Sequence, residues 1–75
     1  MKFTAAQGQS IEVSFEPVGT TFSLVGGESI YLRTALENLA SIEIVSWPRA
    51  VEVWVGVYPG DYVVLDSDGK ELDRL

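Results

Sequence analysis

The sequence predicts a mainly β fold: a small antiparallel sandwich or partly open barrel of six to seven short strands, with at most one short helix near residues 34–40. Three observations lead there. Apolar residues recur at every second position along most of the chain, the period of a strand with one buried face. Gly, Pro and Asp punctuate the pattern at short intervals, as turns between strands require. Helical spacing occurs in one stretch alone.

The first run is Ser10 to Glu16, with Ile11, Val13 and Phe15 on one face and Glu12, Ser14 and Glu16 on the other. Pro17 and Gly19 break it. Thr21 to Val25 is a second run, placing Phe22 and Leu24 together, and Glu28 to Arg33 resumes the alternation with Ile30 and Leu32 inward. Gly26-Gly27 between those two runs predicts a two-residue hairpin, since a type I′ turn needs positive φ at both central positions. In residues 34–40, Leu32, Ala35, Leu36, Leu39 and Ala40 share a helical face, and Thr34 with Glu37 has capping-box spacing. A single helical turn in a loop is expected, the alternative being an α+β fold with one helix across residues 29–40.

Beyond Ser41, Ile42 and Ile44 alternate with Glu43 and Val45, and Trp47-Pro48-Arg49-Ala50 supplies a turn with Pro at its favoured second position. Val51, Val53, Val55 and Val57 form the clearest alternating face, opposed by Glu52, Trp54, Gly56 and Tyr58. Pro59-Gly60-Asp61 is a turn, Tyr62 to Leu65 a short strand, and Lys70 to Leu72 a stub after the turn at Asp66 to Gly69. The expected core comprises Ile11, Val13, Phe15, Phe22, Leu24, Ile30, Leu32, Ile42, Ile44, Val51, Val53 and Val55.

The chain is expected to be one domain over residues 1–75. A domain this short buries roughly 60% of its unfolded surface, so stability has to come from efficient apolar packing or from self-association. No cysteine and no histidine are present, which removes disulfides, thiolate and imidazole nucleophile chemistry and the usual zinc ligands. Five Lys or Arg stand against eleven Asp or Glu, a net charge of −6 that opposes binding to phosphate backbones. No apolar run approaches the ~18 residues of a membrane span, and no secretory leader pattern is visible, so the default expectation is a cytoplasmic chain without a nucleic-acid or membrane partner.

Chemistry-bearing patterns are few. Asp66, Asp68, Glu71 and Asp73 bring oxygens around Gly69, yet Lys70 stands where a calcium loop needs an acid or amide. The expected structure is an Asp-Gly hairpin of type I′, with no metal or cofactor. Paired acids such as Glu12 with Glu16, or Glu43 with Glu52, have the residue types of a glycosidase but little room for a cleft, so no enzyme is expected. Trp54, Tyr31 and Tyr58, with Glu52, Glu43 and Arg33, share the polar alternation class and are the candidate binding residues. Trp47, just before Pro48, is expected to plug the end of the core. The function expected is a binding module acting on a protein partner or by self-association. A carbohydrate-binding module that stacks sugars on Trp54 and Tyr58, or a small acidic inhibitor of a basic protein, are the alternatives.

Overall fold

The computed structural model describes residues Met1 to Leu75 and contains eight strands and one helical turn. In chain order these are β1 (Lys2–Thr4), β2 (Ser10–Glu16), β3 (Thr20–Val25), β4 (Ser29–Thr34), α1 (Leu36–Leu39), β5 (Glu43–Trp47), β6 (Ala50–Trp54), β7 (Tyr62–Asp66) and β8 (Glu71–Arg74). They form two four-stranded sheets: sheet A in the order β1-β4-β7-β8 and sheet B in the order β3-β2-β6-β5. The molecule measures 34 × 27 × 19 Å, and its thin axis suits two sheets about 10 Å apart with side chains on both outer faces. The fold is therefore a small β sandwich with two open sheets. No helix is long and apolar enough to cross a membrane.

Three hairpins build most of it. β2 and β3 pair antiparallel around Pro17 to Gly19, β5 and β6 around Pro48-Arg49, and β7 and β8 around Ser67 to Lys70. The remaining contact inside sheet B is a parallel pairing of β2 with β6, from Glu12↔Ala50 to Glu16↔Trp54. That pairing departs from the all-antiparallel expectation, because both strands leave the same end of the sheet and the chain visits sheet A between them.

Gly26-Gly27 does not close a hairpin. β3 belongs to sheet B and β4 to sheet A, so the two glycines carry the chain across the sandwich. The Gly27 N–H donates to the Ala5 carbonyl (2.8 Å) and the Ala5 N–H to the Glu28 carbonyl (3.0 Å), while a Cβ on Gly26 would lie 2.9 Å from the Gly8 nitrogen. Glycine is needed here for close approach of two backbones, a demand that resembles a hairpin signal in sequence. The turn after β7 also differs from expectation. Gly69 alone has positive φ (+83°), so type I′ is excluded. The Gly69 N–H donates to the Asp66 carbonyl (3.0 Å) and the Asp66 N–H to the Lys70 carbonyl (2.8 Å), a three-residue hairpin loop with glycine at its left-handed position. The Asp66 carboxylate accepts from the N–H groups of Asp68 and Lys70 (2.9 and 2.8 Å) and so organises this turn.

The helical turn α1 is as short as expected, without the capping box. Its N-cap is Ala35, with no side-chain cap, and the Thr34 hydroxyl instead donates to the Asp61 carbonyl (2.7 Å) and accepts from the Asn38 amide (3.0 Å). Thr34 thus ties the β4 end to the β6–β7 crossing.

The core joins both sheets. Val13, Phe15, Leu24 and Val53 from sheet B meet Ile30, Leu32, Tyr62 and Val64 from sheet A, with Ala5 and Val55 closing it from the crossings. Phe15 stands edge-to-face with Phe3 (6.0 Å, 83°) and with Phe22 (6.1 Å, 74°), linking β1 of one sheet to β2 and β3 of the other. Tyr62 is fully buried and its hydroxyl donates to the Val57 carbonyl (2.5 Å), the polar handle a buried tyrosine needs. One expected core position fails, and one residue of the alternating valine face also leaves it. Ile44 points inward but sits on the edge strand β5 and stays 44% exposed. Val57 is exposed because β6 ends at Trp54 and the chain crosses away from sheet B.

Candidate functional site

Sheet B carries its functional candidates on the face turned away from the core. The alternation that buries Val13, Phe15 and Val53 sends Glu12, Ser14 and Glu16 of β2 and Glu52 and Trp54 of β6 outward. On β5, Glu43, Val45 and Trp47 share that side, because they lie in register with Trp54, Glu52 and Ala50. The parallel β2–β6 pairing then brings Glu16 alongside Trp54 and Ser14 alongside Glu52. The result is an outward surface with two indoles among four carboxylates.

Local bonds hold part of it in place. The Trp54 indole N–H donates to Glu52 Oε1 (3.2 Å), fixing the ring along its own strand, and the Ser14 hydroxyl donates to Glu16 Oε1 (2.7 Å). Trp54 remains 40% exposed and Trp47 57% exposed. The expectation that Trp47 plugs the core is overturned: its place in register opposite Ala50 puts it on the outer face, beside the smallest side chain of β6. None of the four strands of sheet B contains Lys or Arg, and both ion pairs of the protein involve Arg74, bridged to Asp61 (3.1 Å) and Glu71 (3.0 Å) at the other sheet. Glu12, Glu16, Glu43 and Glu52 are therefore free of salt bridges.

The six residues singled out from sequence do not form one site. Trp54, Glu52 and Glu43 come together on sheet B, in adjacent strands. Tyr31 and Arg33 lie on β4, whose buried Ile30 and Leu32 turn them to the outer side of sheet A, the opposite face of the sandwich. Tyr31 there carries Lys2 over its ring, Nζ being 5.6 Å from the centroid. Tyr58 lies in the crossing after β6, exposed and off the strand alternation. Glu12, Glu16 and Trp47 complete the sheet-B face. Their parity was visible in sequence, but their neighbourhood depends on the long-range β2–β6 pairing. No three or more Asp or Glu residues gather closely enough to hold a metal ion.

No family model matches the chain, and no curated protein and no solved structure matches it.

Proposed function

We propose that this chain is a non-catalytic protein-interaction module, and that the outer face of sheet B docks a basic segment of a partner protein. The observation that carries the reading is the exposure of Trp47 and Trp54 beside four carboxylates that make no ion pair. Lys and Arg side chains suit such a surface twice over, stacking on indole faces and pairing with the flanking acids. The net charge of −6 adds steering toward a basic partner.

An arginine-rich decapeptide serves as the probe, with Trp emission recorded during titration at low and at high salt. The expected result is a saturable change in emission that weakens as salt rises. Trp54→Ala should lower the affinity about two- to fivefold, the scale of an exposed cation–π contact. Glu37→Gln, on α1 and away from the face, should leave it unaltered. A flat titration, or one equally affected by both variants, would overturn the reading. A response to neutral oligosaccharides in its place would favour sugar stacking on the same indoles.

A further inference from the structure

A different part of sheet B, its open edge, points to a second copy of the chain. The Glu12 N–H donates to the Arg49 carbonyl (3.0 Å) and the Val55 N–H to the Glu16 carbonyl (2.9 Å), so the odd-numbered residues along β6 turn their backbone groups toward β2. Successive residues of a strand present those groups to opposite sides, which leaves Ala50, Glu52 and Trp54 facing β5. Their partners in register are Trp47, Val45 and Glu43. The N–H and C=O groups of Ile44 and Ser46 therefore face the free side of β5, where no other segment bonds to them.

Two of the other three edges are guarded, and the third is capped at one end. β1 has three residues, one of them Lys2. β8 carries Glu71, Asp73 and Arg74 beside a register shift at Val64/Leu65. On β3, the outward groups of Val25 are taken by Glu28, whose carboxylate accepts the Val25 N–H (2.8 Å) and whose own N–H donates to the Val25 carbonyl (2.9 Å), while those of Thr21 and Ser23 stay open between hydroxyl side chains. Short strands, charges, irregular register and capped ends are the usual protections against edge pairing. β5, reading Glu-Ile-Val-Ser-Trp, has one charge and exposes both Ile44 and Trp47.

We infer that two copies of this chain pair antiparallel through β5, joining their B sheets into one eight-stranded sheet about a two-fold axis at Val45. In that register Ile44 bonds with Ser46 of the second copy, and Ser46 with Ile44 of the second copy, so every free backbone group of the edge is satisfied. Val45 lies against Val45 of the second copy. Glu43 lies opposite Trp47 of the second copy, so no carboxylate directly faces another across the seam. An isologous contact of this kind closes at two copies. It is narrow, in the range of weak and transient interfaces. Because each copy carries −6, added salt screens their repulsion and strengthens the pair. That is the reverse of the salt response of the basic-partner face, so failure of either reading leaves the other standing.

Sedimentation velocity of the whole chain across a wide concentration range, at low and high salt, tests the inference. A concentration-dependent dimer that tightens with salt is expected. Ser46→Pro removes one outward N–H per copy and tolerates the edge position, so it should weaken association about tenfold or more with the fold retained. Ile44→Lys, a charge placed on the free edge, should act in the same direction. In the unaltered protein, amide exchange at Ile44 and Ser46 should slow with concentration while Val45 stays unchanged. A monomer throughout, variants that dimerise like the parent chain, or no concentration dependence at those two amides would each overturn it.

Discussion

Sheets A and B share a core and a strand count, yet they present different outer surfaces. On sheet A two of the cations have partners: Lys2 lies over Tyr31, and Arg74 bridges Asp61 and Glu71. Its edges are short, charged or irregular. On sheet B four carboxylates lack ion pairs, two indoles stand in solvent, and β5 offers an unguarded edge. The difference lies in the outer faces and edges, on a core that both sheets hold in place.

The sharpest way to break this comparison is Phe15→Ala. Phe15 is fully buried and touches Phe3 across the sandwich as well as Phe22 within sheet B. Its truncation should cost about 3–5 kcal/mol, a large fraction of the stability of a domain this size. Thermal unfolding followed by circular dichroism, with amide exchange on both sheets, should show them losing structure together. Retention of protected β4 and β7 amides while β2 and β6 open would mean that the sheets are separate units.

Gly56→Ala sharpens it at the next scale. A Cβ on Gly56 would lie 2.5 Å from the Ser41 carbonyl oxygen and 2.9 Å from the Ser41 side chain, where the chain enters β5 and leaves β6. The backbone has to shift, at about 1–3 kcal/mol. Faster amide exchange at Glu43 and Trp54, with β4 and β7 amides unchanged, is the expected pattern, measured in the same way.

The smallest effect belongs to the surface of sheet A. Arg74 bridges two acids that are themselves well exposed, so Arg74→Ala should change stability by less than about 1 kcal/mol in denaturant unfolding. It should also leave both the peptide titration and the sedimentation behaviour of the chain unaltered. A change in either would show that sheet A takes part in binding.

Much of this was legible from residues. Ser10 to Glu16 forms β2 over the span its alternation indicates, because one face of β2 is packed and the other is solvated. Pro48-Arg49 and Asp66 to Gly69 turn where their chemistry says. β1 was missed because Lys2-Phe3-Thr4 is too short to display a period, and it is held by register with Ser29, Ile30 and Tyr31. Tyr62-Val63-Val64 is apolar at three successive positions, so period alone does not tell inside from outside. Tyr62 and Val64 enter the core, and Val63, in register between Arg33 and Arg74, is buried on the outer side of sheet A.

The division between sequence and tertiary structure follows from range. Alternation, turn residues and charge are properties of neighbouring residues, and by themselves they determined the β class, the three hairpin turns other than the crossing at Gly26-Gly27, most of the buried face, and the outward parity of Trp54, Glu52 and Glu43. Which strands adjoin depends on pairings between segments tens of residues apart. Only those pairings decided that Tyr31 and Arg33 lie on the far side from Trp54, that Glu16 comes alongside Trp54, that Trp47 faces solvent, and that β5 is an edge of sheet B. A two-residue period names the two faces of each strand, while the hydrogen-bonded neighbours decide which faces share a surface.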